Sequence, residues 1–473
     1  MDHSHPPVPV VIVGGGATGA MVAWHLLRQR PDLGKHGVTI IEPRHELGAG
    51  QAYGTHDPQH RINVPAARMS LDTQKPSDFR DWLDLDALAA IDPDAFLPSG
   101  DLYPARAQFG RYLAARLAPY LETGRLRHVR GTLDDVTQTG TTWHLSVSDG
   151  PTLDATLLVI ATTHPAPSLP APLTTLEHDK RVVSNPWRDD ALARIAPQES
   201  VAIIGTGLTM ADIVASLSAR GHKGRILAFS RRGLRPRAHA PQASALSDVL
   251  LISPAPTALA LLRNIRASLS DHADLSWHEI IDAVRKQGRQ LWGSLHTVER
   301  RRLIRHLRPF WDVHRFRIAP QVDRVLETRL AEESLALKAA RLINAEATDE
   351  GVTLTLRPRG GTEETHLVDH VINTTGPDHA GIVHRTPYLR ALAALRVVEP
   401  DPTGLGIHTC ADHHARVGMQ RIANLLIAGP LSRGQFGELM GLPEVTESAQ
   451  SVARHLAALL PLTPVLIPDE VEP

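Results

Sequence analysis

The sequence predicts an α/β fold with two doubly wound, Rossmann-like units and a mostly helical insertion. Three observations carry this. A hydrophobic strand, a glycine-rich turn and an apolar helix occur in succession twice. The second strand of each pair ends in opposite charge. A long stretch after the second pair has helical rather than strand periodicity. The first unit reads Val10-Val11-Ile12-Val13, Gly14-Gly15-Gly16-Ala17-Thr18-Gly19, then Met21 to Leu27, and closes at Thr39-Ile40-Ile41-Glu42. The second reads Val201-Ala202-Ile203-Ile204, Gly205-Thr206-Gly207-Leu208-Thr209-Met210, and reaches Ile226 to Arg232.

The other elements follow in order. Residues 48–76 are rich in Gly, Pro and polar residues and read as a loop, followed by an amphipathic helix near Asp78 to Leu88. Phe109 to Leu121 places Leu113, Leu117 and Leu121 at helical spacing. Trp143–Val147 and Leu153–Ile160 alternate or run apolar, as strands do. Thr163 to Pro172 carries four prolines and marks the crossing into a second domain. Residues 244–316 read as helical over Val249–Leu262, Trp277–Val284 and Arg300–Trp311; an insertion of that length is a cap rather than a linker. Val352–Leu356 and His366–Ile372 are strands. Leu425 to Leu460 is a strand, a glycine-rich turn and a helix. The first domain is thus split between 1–165 and 366–473, with the second, 166–365, carrying the insertion at about 244–316.

Composition narrows the function. At 473 residues the chain can build two domains with a large core. A formal net charge of -1 and an aromatic content of 4% argue against a nucleic-acid binder, which needs clustered cations and stacking platforms. Cys410 is the single cysteine, which excludes a disulfide framework and the paired-thiol chemistry of disulfide reductases. No secretory signal is visible: the apolar run from Val8 lacks a basic flank and is interrupted by three glycines. No stretch approaches the roughly 18 to 20 uninterrupted apolar residues of a membrane helix. A soluble, cytoplasmic protein with no membrane or nucleic-acid partner is expected.

The two turns point to two different dinucleotides. In the first, Gly14 permits the tight turn, Gly16 lets the backbone approach a pyrophosphate, and Gly19 lets the helix pack on the strand. The helix N-terminus at Ala17 and Thr18 offers unpaired N–H groups and about half a positive charge to phosphates. Glu42, at its strand end, suits ribose hydroxyls and repels a 2′-phosphate. In the second, Gly205 and Gly207 match the first two glycines, Met210 replaces the third, and Leu208 and Thr209 open the helix. Ser230-Arg231-Arg232 closes its second strand, and the guanidinium groups suit the 2′-phosphate of NADPH. At about 1.5 to 3 kcal/mol per bond to a charged group, a preference of about ten- to hundredfold over NADH is expected.

Other residues attract attention. His408, Cys410, Asp412, His413 and His414 resemble metal ligands, but adjacent histidines rarely face one site and zinc ligands come as spaced pairs; no metal is expected. The stretch 277–317 carries ten basic residues against four acids, usually the mark of a wet helix face. Within it Arg308, Asp312 and Arg315 share a face at spacings of four and three, and are the candidates to clamp an anionic substrate or the NADPH pyrophosphate. His3 and His5 read as a disordered terminus. No Ser/His/Asp constellation follows from spacing, and no catalytic side chain is assigned.

Further segments carry a family resemblance. Glu42-Pro43-Arg44 ends the first unit; Gly48-Ala49-Gly50-Gln51-Ala52-Tyr53-Gly54-Thr55 and His60-Arg61-Ile62-Asn63-Val64-Pro65-Ala66 follow. Ala161-Thr162-Thr163 and Asn373-Thr374-Thr375-Gly376 stand at strand ends. Ser230 to Gly233, His306 to Arg315, and Leu426 to Gly434 with Glu438 and Pro443-Glu444 complete the set. In these segments the chain resembles the bacterial FAD/NAD(P)-binding flavoproteins related to N-hydroxylating and Baeyer–Villiger-type flavin monooxygenases. It departs from the pattern at Thr163, where glycine is usual. The resemblance implies FAD held in the first site and NADPH visiting the second. It implies a flavin-ring loop containing Gly50, Tyr53, Asn63 and Val64, and ring contacts from backbone N–H groups between Gly429 and Gln435, Gly434 among them. The reaction it implies is hydride transfer from NADPH to FAD, then use of O2 to put one oxygen atom into a small organic substrate. The alternatives are an NAD(P)H-dependent flavoprotein reductase with another acceptor, and a redox-sensing flavoprotein without turnover.

Overall fold

Two sheets, each with parallel strands at its centre, organise the chain in the computed structural model, which describes residues 7–165, 167–240, 250–376 and 381–461. His3, His5 and residues 244–249 lie outside that set. The first sheet begins with β1 (Val8–Val13), β2 (Val38–Ile41), β3 (Leu126–Val129), β4 (Leu133–Thr139), β5 (Thr142–Val147) and β6 (Thr152–Ile160). The second contains β7 (Val182–Val183), β8 (Val201–Ile204), β9 (Ile226–Ser230), β10 (Leu335–Thr348), β11 (Gly351–Pro358), β12 (Glu364–Val368) and β13 (His370–Asn373). The chain then returns to the first sheet with β14 (His414–Val417) and β15 (Gln420–Ile427). The first sheet runs β14-β15-β6-β1-β2-β3, with β4 and β5 as an antiparallel flap on β6; the second runs β12-β11-β10-β9-β8-β13-β7.

In each sheet the glycine turn leaves a central strand. Val13 of β1 is flanked by Ile41 of β2 and Ile160 of β6, and Ile204 of β8 by Phe229 of β9 and Asn373 of β13. The chain winds outward on one side of that strand before crossing to the other, so a crevice opens at the carboxyl ends. Central strands have both faces covered, which is why they are continuously apolar rather than alternating. Val10 and Ile12 belong to the core cluster that also holds Met21, Leu26 and Val452, while Val11 and Val13 belong to a second with Trp143, Leu145 and Leu389.

Four element boundaries differ from the sequence expectation, each for a local reason. His366–Ile372 is two strands, because the Asp369 carboxylate turns aside to accept bonds from Ser200 N (2.7 Å) and Oγ (2.8 Å). Both strands belong to the second sheet, so the return to the first domain comes after Asn373–Gly376, not at 366. Asp78–Leu88 is two short helices, since Asp84 caps the second through Ala87 N. The insertion's first helix is Ala258–Asp271, capped by Thr257, because Pro254 and Pro256 hold the preceding residues extended. Arg300–Trp311 divides at Leu307, where Pro309 starts the helix Arg308–Arg315. Among the described residues no helix is long and apolar enough to cross a membrane.

Candidate nucleotide clefts and the helical cap

The first cleft is a cavity of about 340 Å³ lined by Gly14, Gly16, Ala17, Thr18, Glu42, Pro43, Arg44, Gly50 and Tyr53, and also by Thr162, Tyr388 and Pro430. Gly14 has φ +100°, and a Cβ there would lie 2.8 Å from Ala161 O, where the two central strands part. Gly16 caps the helix Ala17–Gln29 without a side-chain bond, which leaves its first N–H groups facing the cleft. A Cβ at Gly19 would come 2.0 Å from Gly14 O, so only glycine permits the helix to sit this close to its strand. The loop 48–54 lies over the turn: Gly48 N donates to Gly15 O (2.7 Å), and a Cβ on Gly16 would meet Gly50 Cα at 3.4 Å.

Glu42 is buried, with its carboxylate fixed by Gly15 N (2.9 Å), Arg44 N (3.1 Å) and Arg44 Nη1 (2.9 Å). Its oxygens keep lone pairs for hydroxyl donors. At the other end Thr162 Oγ1 and Tyr388 Oη lie 2.7 Å apart, and burial pushes the Tyr388 phenol up to about 12. Tyr53 is likewise raised to about 12 by burial, so both phenols stay neutral donors. Gly429, φ +70°, abuts Thr18, which brings the C-terminal turn onto the same helix end. Bare backbone, free N–H groups, an anchored carboxylate and neutral hydroxyls fit an adenine dinucleotide such as FAD.

Asn63, Val64, Gly434 and Gln435 stand outside that lining. Asn63 bridges the domains, its O accepting from His239 Nε2 (3.0 Å) and its Oδ1 from Ala319 N (3.3 Å). Val64 packs on the core. Gly434 O accepts from Trp292 Nε1 (2.9 Å) of the cap, and Gln435 is half-buried.

The second cleft repeats the first in a more open form. Gly205, φ +111°, would place a Cβ 2.7 Å from Thr374 O, the counterpart of Gly14 against Ala161. Gly207 caps the helix Leu208–Ala219 without a side-chain bond, is exposed, and has nothing within 4 Å of where its Cβ would be. Leu208 and Thr209 are half-buried, and Met210 is wholly buried where the first unit has Gly19. Thr206 Oγ1 meets Ser230 Oγ (2.8 Å) and donates to Leu234 O, while Gly233 N donates to Ser230 Oγ (3.0 Å). These bonds hold the arginine-bearing turn beside the glycine turn. Arg231 is exposed and makes no ion pair among the described residues; Arg232 stacks 5.0 Å from the Phe310 ring.

The candidate clamp residues lie in the cap and are engaged with protein acids. Arg308 Nε donates to Asp312 Oδ2 (3.2 Å); buried Arg315 pairs with Glu438 (3.3 Å) and Glu444 (3.2 Å). The histidine-rich segment disperses: His408 bonds Glu399, His413 stacks on Phe436, and His414 meets Asp412 and Arg421. Among the described residues no three His, Cys, Asp or Glu side chains gather as metal ligands.

Sequence reasoning passed over His164, buried directly after Thr163; burial first, then Arg433 and Arg308, push its imidazole down to about 4. Its position at the end of the strand motif was the available signal. It also passed over the seam between domains. There Arg106 pairs with the buried carboxylate of Asp212 (2.9 Å), and His60 bonds Thr55 (2.7 Å) and Ser216 (3.1 Å).

A protein-family model described as FAD-NAD(P)-binding matches residues 11–165. Among solved structures, reduced ornithine hydroxylase from Pseudomonas aeruginosa is 17% identical, covering 96% of this chain and 100% of that one, with a TM-score of 0.66. Ornithine N-hydroxylase from Kutzneria, solved with reduced FAD, NADP+ and L-ornithine, is 17% identical over 96% and 99% of the two chains, TM-score 0.64. L-lysine 6-monooxygenase from Pseudomonas syringae is 16% identical over 96% and 100%, TM-score 0.63. Curated proteins searched by sequence give no match. Over nearly its whole length the chain therefore shares the fold of these solved enzymes, with an FAD-NAD(P)-binding segment at residues 11–165.

Proposed function

We propose that this protein is an FAD-dependent, NADPH-consuming monooxygenase that hydroxylates a small organic substrate in the cytoplasm. The observation that carries the reading is the pair of clefts: one buried and acid-ended, the other open and arginine-ended. The similarity in fold to ornithine and lysine hydroxylases supports it.

The roles of the residues follow from their chemistry. The N–H groups at Ala17 and Thr18 hold the FAD pyrophosphate, and Glu42 accepts from ribose hydroxyls. The turn at Gly429 and Pro430, which meets the first cleft, would border the ring, whereas Asn63, Val64, Gly434 and Gln435 stand outside the cleft lining. Bound FAD supplies the electron transfer from NADPH and the activation of oxygen. Gly205, Gly207, Leu208 and Thr209 receive the NADPH pyrophosphate, while Arg231 and Arg232 take its 2′-phosphate. His164, neutral at pH 7, has the protonation state of a proton acceptor between the first cleft and the cap. Arg308 and Asp312 shape the cap through their ion pair, and Arg315 through its pairs with Glu438 and Glu444. A dithiol route is closed, because Cys410 is the sole cysteine.

Turnover with NADPH under labelled O2 tests the reading. One labelled atom should enter the product and the other leave as water. NADPH consumption with dye acceptors but no labelled product would replace it with the reductase.

A further inference from the structure

The five helices of the insertion, with Leu405 and the segment 433–438, line a second cavity of about 240 Å³, whose walls include Leu261, Ile265, Leu303, Leu307 and Trp311. Its charged lining groups are Arg308, Arg433 and Glu438, which lie within one another's electrostatic reach. Glu438 is committed to Arg315 (3.3 Å) and to Trp311 Nε1 (3.2 Å), and Arg308 pairs with Asp312. Arg285, beside them, pairs with Glu444. Arg433 differs. It is 4% exposed, its Nε donates to Gly437 O (3.1 Å), and no carboxylate lies within ion-pair distance of it among the described residues.

Asp312 and Glu438 act on Arg433 only at longer range and are already paired, and a buried guanidinium with no carboxylate in direct contact is costly unless something anionic completes it. A carboxylate does so with two parallel charge-assisted bonds, and the apolar walls favour a hydrocarbon body at about 0.8 kcal/mol per buried CH2. The charged cluster around the cavity is net cationic, with Arg285, Arg308, Arg315 and Arg433 against Asp312, Glu438 and Glu444, so an ammonium would be repelled although Glu438 also lines the wall. The segment Gly429–Phe436 separates this cavity from the first cleft, with Pro430 lining one and Arg433 the other.

We propose that the cap cavity is a binding site for an apolar organic monocarboxylate, its carboxylate on Arg433 and its chain between Leu261, Leu303 and Trp311. The site stands on its own geometry, whether or not the monooxygenase reading holds.

The test is calorimetric titration of the flavin-loaded protein with octanoate, octylamine and octan-1-ol, alongside NADPH oxidation. Octanoate should bind at least about tenfold more tightly than octylamine. Arg433→Gln should weaken octanoate about ten- to hundredfold and leave octan-1-ol unchanged. Leu303→Trp, which fills the cavity, should weaken both. Absent octanoate binding, equal binding of octylamine, or loss of flavin in Arg433→Gln would overturn the proposal. If Arg433→Gln does not fold, the headgroup comparison on the unaltered protein still decides. Octanoate binding without any NADPH oxidation upholds the cavity and removes the NADPH-consuming reading; NADPH oxidation without octanoate binding removes the cavity and leaves that reading to the labelled-oxygen test. Where both occur, octanoate that appears oxygenated is a substrate, and octanoate that only changes the rate is an effector of the same site.

Discussion

The two glycine turns are built on one plan and finished differently. Both leave a central strand, both use a positive-φ glycine against the neighbouring strand's carbonyl, and both open a helix with an uncapped N-terminus. The first is then covered by the loop 48–54 and the C-terminal turn, and ends in a buried carboxylate. The second has an exposed Gly207 and ends in an exposed Arg231. Covering a phosphate site favours retention, while leaving it open favours exchange. The same motif can therefore serve a resident cofactor and a visiting one, with the difference set by what packs on it.

Mutations at matched positions put that difference at risk. The largest effect is expected at Gly16→Val, whose branched side chain would close the gap to Gly50. It should give colourless protein, whereas Gly207→Val should keep the flavin and impair only NADPH use; absorbance of the purified variants separates the two. Replacing Arg231 and Arg232 by Ala should raise the KM for NADPH by about ten- to hundredfold and spare NADH. Equal effects on both would remove the 2′-phosphate assignment. Glu42→Gln should weaken FAD binding by about tenfold, read as flavin released on dilution.

The smallest effect concerns the joint between the domains. Burial holds the His239 imidazole down at about 4, so its unfolded form binds protons more readily. The stability it carries is present above about pH 6.5 and is lost as pH falls towards 4. The melting temperature should therefore drop on that side, and His239→Asn should flatten the drop.

How much was legible depended on whether the signal was local. The turns, Glu42 and the arginines could be read because each is a short motif with its own chemistry. The long strand β10, Leu335–Thr348, could not: its Ala-Leu-Lys-Ala-Ala-Arg run has helix-forming residues, and pairing with β9 and β11 overrides them. Tyr388 reaches the first cleft, and Arg433 the cap cavity, from far along the chain, so spacing could not place either. Arg308, Asp312 and Arg315 do sit close on one helix. Their acid partners Glu438 and Glu444, however, come from the C-terminal segment, and no helical pattern in the sequence reveals them.

Anaerobic reduction of the purified protein, followed by flavin absorbance with NADPH and then with NADH, tests the division of labour most directly. The account predicts flavin that copurifies and is bleached at least about ten times more efficiently by NADPH than by NADH at limiting concentrations. Protein isolated without flavin, or bleached equally well by both nucleotides, would contradict it.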